Sequence, residues 1–111
     1  MRISEPFTVD AFTIYEGTMP KNRGVLDPIT VLLRDFGGSG QIIVECYGAA
    51  WSHWFVAIGN STLRKFIAGC DVCYLAGKLG CVTHRATTKR EDSYLEHIAH
   101  AVIAALKGGA A

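Results

Sequence analysis

Ile29-Thr30-Val31-Leu32-Leu33-Arg34-Asp35 and Gln41-Ile42-Ile43-Val44-Glu45-Cys46-Tyr47 flank the segment Phe36-Gly37-Gly38-Ser39-Gly40. Two runs rich in β-branched residues around a glycine-rich turn specify an antiparallel hairpin. Side chains alternate along a strand, so Ile29, Val31 and Leu33 share one face while Thr30, Leu32 and Arg34 share the other. One face of the hairpin is therefore expected to be covered and the other half wet. The Gly-Gly-Ser-Gly stretch is not a phosphate loop, because no Lys-Ser/Thr pair follows it and it leads into a strand.

Working outward, residues 7–16 read as an earlier strand in which Phe12 and Ile14 alternate with Thr13 and Tyr15. Residues 17–28, with two glycines and two prolines, read as a polar surface connection. Beyond the hairpin, Trp51 to Ile58 predicts a fourth strand, with Trp51, His53 and Phe55 on one face and Ser52, Trp54, Val56 and Ile58 on the other. Both tryptophans fall within four residues, either as core packing or as an exposed stacking platform. His53 reads as a partly buried, hydrogen-bonded side chain.

The period then changes. Asn60 or Ser61 is placed to cap a short helix carrying Leu63, Phe66 and Ile67, and Asp71 to cap a second carrying Val72, Leu75 and Leu79 and ending at Gly80. Residues 81–88 read as a polar connection. Thr88-Lys89-Arg90-Glu91 has the form of a capping box and opens a final helix to about Lys107. At about 100° per residue, Tyr94, Leu95, Ile98, Ala99, Val102, Ile103 and Leu106 form its apolar stripe, with Glu96, His97, His100 and Lys107 opposite. Strands first and helices afterwards predict an α+β fold: an antiparallel sheet of about four strands, covered on one face by two short helices and a longer C-terminal helix.

The 111 residues are 50% hydrophobic and 19% charged, which excludes a disordered chain and fits one domain over residues 1–111, with 108–111 as a flexible tail. No apolar run approaches the roughly 18 residues of a membrane span, and Met1 to Pro6 offers no signal-peptide stretch, so a cytoplasmic location is expected. The net charge of +1 is a cancellation. Residues 1–60 carry four basic and six acidic groups; residues 61–90 carry six basic groups against Asp71 alone; residues 91–111 set Lys107 against three acids. A DNA mimic is excluded, whereas a local basic patch is not.

Cys46 sits in an apolar run and reads as a small buried hydrophobe. Cys70, Cys73, Cys81 and His84 spell C-x2-C-x7-C-x2-H, a ligand set for a tetrahedral zinc. Seven residues leave little chain to bring the pairs together, and Tyr74-Leu75-Ala76 reads as helix, so helix-packed cysteines are the preferred reading. No G-x-S-x-G elbow, Walker loop, dinucleotide fingerprint or H-E-x-x-H pair occurs. His97 and His100 lie on a solvated helix face, and no spacing fixes a Cys–His nucleophile pair. Glu91 and Asp92 are explained by a helix start. No catalytic residue and no cofactor are expected.

The stretch Asp27-Pro28-Ile29-Thr30-Val31, Asp35-Phe36 with its glycine turn, and Ile42 to Gly48 resembles a family of small proteins of temperate phages and prophages. Trp51, Trp54, Gly59, Phe66, Cys70-Asp71, Tyr74-Leu75 and Lys78-Leu79 continue the resemblance. It covers about half the chain and carries no established activity; Cys73, Cys81 and His84 lie outside the pattern. The resemblance implies a phage-encoded accessory protein of the bacterial host cytoplasm. By analogy of class, its partner would be a host or defence complex of the restriction or CRISPR type.

The leading expectation is thus a non-enzymatic protein that binds a bacterial protein complex, using Tyr47, Trp51 and Trp54 together with the basic residues of 61–90. A second reading is single-stranded nucleic-acid binding, with the same aromatics stacking on bases and Arg64, Lys65, Arg85, Lys89 and Arg90 meeting phosphates. A third is a small zinc-binding domain. Edge strands that need covering also make a homo-oligomer a candidate.

Overall fold

The structure, a computed structural model, describes residues 3, 8–15, 28–80 and 88–108. Four strands, β1 (Thr8–Ile14), β2 (Ile29–Asp35), β3 (Gly40–Cys46) and β4 (Ala49–Phe55), precede three helices, α1 (Leu63–Ala68), α2 (Val72–Gly80) and α3 (Lys89–Lys107). The strands form an antiparallel meander in the order β1-β2-β3-β4. This is the expected α+β architecture, with short turns joining β2 to β3 and β3 to β4 and the helices gathered on one face.

The hairpin has the expected covered face. Ile29 pairs with Cys46, Val31 with Val44 and Leu33 with Ile42 across β2 and β3, and all six are buried. Thr30, Leu32 and Arg34 are half-buried on the other side. The β2–β3 turn is closed by Phe36 N–H donating to the Ser39 carbonyl at 3.0 Å, with Gly37 and Gly38 at positive φ. The β3–β4 turn has two central residues, Tyr47 and Gly48, at φ 52° and 79°. Positive φ at both positions is the type I′ pattern that matches the strand twist, and Tyr47 tolerates it at an exposed tip.

The helices close the core over that face. Leu63 and Ile67 of α1, Leu75 and Leu79 of α2, and Leu95, Ile98, Val102 and Leu106 of α3 are buried in one cluster with the sheet residues. Gly40 marks the closest approach: a Cβ there would lie 2.8 Å from both the Arg34 carbonyl oxygen and Leu63 Cδ2. Thr88 caps α3 as expected, its hydroxyl accepting from Glu91 N–H at 3.1 Å. Asp71 likewise accepts from Cys73 N–H at 3.2 Å as α2 opens.

Three local expectations shift. The fourth strand lies at 49–55, where the tight Tyr47-Gly48 turn starts it earlier than Trp51. The cap of α1 is Thr62, accepting from Lys65 N–H at 3.2 Å, instead of Asn60 or Ser61. Asp35 fixes that start by accepting from Leu63 N–H at 3.0 Å while its other oxygen accepts from Gly37 N–H at 2.9 Å. His97 is half-buried, with Nε2 shut from solvent and no hydrogen-bond partner, whereas His100 is exposed as expected. α3 packs on α1 and α2 as well as on the sheet, so its covered arc is wider than the apolar stripe alone indicates. The connections at 17–27 and 81–87 and the tail at 109–111 lie outside the described residues.

Candidate binding face

The face of the sheet away from the helices has no covering element among the described residues. Strand register arranges it in rows. Val9, Arg34, Gln41 and Trp54 form one row; Ala11, Leu32, Ile43 and Ser52 the next; Thr13, Thr30, Glu45 and Ala50 the third. An antiparallel sheet with one wet side ordinarily alternates apolar-in with polar-out. Here the wet side is instead apolar along much of its width, through Val9, Ala11, Leu32, Ile43 and Trp54.

An aromatic–cation cluster stands at one end of it. Trp54 is 43% exposed and Phe36 39%, with ring centroids 5.1 Å apart and planes inclined at 40°. The Arg34 guanidinium lies 5.2 Å from the Phe36 ring centre, and Arg34 Nη1 donates to Gln41 Oε1. The hydrogen bond and the ring together fix a long side chain that would otherwise be mobile, which lowers the entropy lost when it engages a partner. Among the strand positions of this face, Arg34 is the one cation and Glu45 the one anion. Glu45 Oε1 also accepts from Gly48 N–H at 3.0 Å, tying it to the β3–β4 turn.

The residues expected to bind are distributed rather than joined. Trp54 is on the open face. Trp51 is on the opposite face, half-buried with its ring 5.9 Å from Tyr94, whose hydroxyl lies 3.1 Å from Cys46 Sγ. Tyr47 is 81% exposed at the β3–β4 turn, at the other end of β4 from Trp54. Arg64 lies against the covered side, pairing with Asp10 at 2.6 Å and placing its guanidinium 5.7 Å from the Phe12 ring centre. Lys65, Lys89 and Arg90 are exposed on α1 and α3, and Arg85 lies outside the described residues. Arg34 and Phe36 join Trp54 through the pairing of β2, β3 and β4. Alternation marks Arg34 as outward, but nothing short-range places it beside a residue twenty positions later.

Clefts among the described residues include two on the helix side. One, of about 290 Å³, is lined by Asp10, Leu33, Asp35 and Arg64; its charges are already used by the Asp10–Arg64 pair and by the turn and helix amides held by Asp35. The other, of about 260 Å³, brings Cys70 and His100 to one lining between α2 and α3. The Cys70 thiol lies 3.4 Å from the Phe66 carbonyl, and burial pushes its pKa up, so it is held in the protonated, weakly nucleophilic form. Cys73 is exposed, and Cys81 and His84 lie outside the described residues. Among the described residues no three His, Cys, Asp or Glu side chains gather as metal ligands. No helix among them is long and apolar enough to cross a membrane.

The described residues form an α+β domain in which the helices cover one face of the sheet and Trp54 stands on the other. A family model described as "Phage family" matches residues 8–109, and the chain belongs to that family of phage proteins. The match spans the whole meander and all three helices, beyond the half of the chain on which the resemblance rested. No curated protein and no solved structure matches the chain.

Proposed function

We propose that this phage protein is a non-enzymatic accessory protein that docks on a bacterial host or defence protein complex, of the restriction or CRISPR type, through the open face of its sheet. The observation that supports this most is the Arg34–Phe36–Trp54 cluster at the end of an apolar, nearly uncharged sheet face. Trp and Arg are among the residues that concentrate binding energy at protein interfaces, and Phe is enriched there.

The charge distribution favours a protein over single-stranded nucleic acid as the partner. A stacking platform needs cations beside it to follow the phosphates. Of the basic residues at 61–90, the described ones, Arg64, Lys65, Lys78, Lys89 and Arg90, all sit on the helices. Among the strand positions of the open face, Arg34 alone supplies a cation beside Trp54, whereas the helical basic residues lie on the other side of the sheet. The raised, hydrogen-bonded Cys70 thiol and the internally paired charges of the first cleft likewise favour binding over catalysis.

The test is capture from bacterial lysate in parallel with the wild-type protein, a Trp54→Ala variant and a Lys65→Ala/Lys89→Ala variant. A protein retained by wild type and the lysine variant but lost from the Trp54 variant supports the proposal. Equal retention by all three, or loss on nuclease treatment, contradicts it.

A further inference from the structure

The sheet has two edges, and they differ. On β1, Asp10 pairs across the strand with Leu33, so it stands on the helix-covered side, where it meets Arg64. An inward-pointing charge is one of the devices that keep an edge from pairing with another chain. β4, Ala49-Ala50-Trp51-Ser52-His53-Trp54-Phe55, carries no Lys, Asp, Glu or Pro over its seven residues. It is a regular strand paired residue by residue with β3, with no bulge.

The turn geometry says which backbone groups β4 presents. A two-residue turn makes its flanking residues, Cys46 and Ala49, a hydrogen-bonded pair, and such pairs then recur at every second residue. Ala49, Trp51, His53 and Phe55 therefore direct N–H and C=O toward β3, while Ala50, Ser52 and Trp54 direct theirs outward. Among the described residues these outward groups have no hydrogen-bond partner.

We propose that β4 pairs antiparallel with β4 of a second copy of this chain about a two-fold axis at Ser52, joining two four-stranded sheets into one of eight. This register uses the full strand. Ser52 faces Ser52 of the other copy, and Ala50 faces Trp54 twice, giving three hydrogen-bonded pairs and about six new N–H···O=C bonds. It is also sterically complementary. On the open face each Trp54 lies against the small Ala50 of the other copy, and on the helix side each Phe55 lies against Ala49. A strand without charge brings no like-charge repulsion to its own image. The two open faces become continuous, with the two Trp54 side chains about 13 Å apart along the strands.

Sedimentation equilibrium across the micromolar range tests this, with Ser52→Lys and Ser52→Glu as variants. The wild type is expected at twice its 12.0 kDa mass. Each variant alone is expected to be monomeric, because like charges meet at the axis, and an equimolar mixture of the two to recover the dimer. Amide hydrogen exchange on the unmodified protein gives a second readout that needs no variant: Ala50, Ser52 and Trp54 are protected if the edge is paired. A monomeric wild type, fast exchange at those three amides, or single-charge variants that dimerise as well as wild type would overturn the proposal. Loss of partner capture bears on the open face and leaves this result unaffected.

Discussion

Trp54 and Phe36 hold their ring centroids 5.1 Å apart on the sheet face that the helices leave bare, and Arg34 lies over the same Phe36 ring. The contact exists because Phe36, whose N–H donates to the Ser39 carbonyl, opens the β2–β3 turn, while β3 sets the register of β4 that carries Trp54. Both residues keep about two-fifths of their exposure, so the pair contributes less to folding than a fully buried one.

Stability and binding should therefore separate at Trp54. Trp54→Ala is expected to lower unfolding free energy by no more than about 1 kcal/mol, as for surface positions. The same change should weaken partner binding by about 2 kcal/mol or more, roughly thirtyfold, as at an interface hot spot. Urea unfolding and titration with the captured partner measure the two quantities on one sample.

Asp35 is a structural carboxylate, with one oxygen on Gly37 N–H and the other on Leu63 N–H. Asp35→Ala frees both amides and should cost about 1–2 kcal/mol. Hydrogen exchange should localise the loss to the β2–β3 turn and the start of α1.

Two glycines should respond in opposite directions. Gly40→Ala drives a methyl to 2.8 Å from the Arg34 carbonyl and from Leu63 Cδ2, and is expected to cost about 1–3 kcal/mol through overpacking. Gly77→Ala, inside α2 with open space at its Cβ, should stabilise by about 0.5–1 kcal/mol through helix propensity. Thermal melts of the two variants check both signs.

His53 gives stability a pH dependence. Burial, and then the positive charge of Lys78, lower its pKa, while a hydrogen bond to the Lys78 backbone acts the other way. A base whose folded pKa is depressed binds fewer protons folded than unfolded. Its contribution is complete above the ordinary histidine value of about 6.5 and is lost as pH falls from there through the folded pKa. Denaturant midpoints measured between neutral and mildly acidic pH should fall with pH, and less so in His53→Phe.

Much of the fold was legible because its determinants are local. The 29–47 hairpin, the change from a two-residue to a helical period after Ile58, and the Thr88 cap each follow from neighbouring residues. Features set by distant contacts were not. Alternation correctly separates Trp51 from Trp54, but only the packing of α3, through Tyr94, shows which of them is covered. The cap of α1 moves to Thr62 because Asp35, far earlier in the chain, holds the Leu63 amide. The binding cluster was half-visible: Trp54 stood out by type, whereas Arg34 and Phe36 join it only through register.

Capture of a bacterial protein by wild type, Trp54→Ala and Lys65→Ala/Lys89→Ala forms, each shown to be folded, bears most directly on the open face as the docking surface. The account predicts a nuclease-resistant protein partner bound by wild type and the lysine variant and lost from Trp54→Ala. A partner lost from the lysine variant and kept by Trp54→Ala would contradict it, moving the functional surface to the helix side of the sheet.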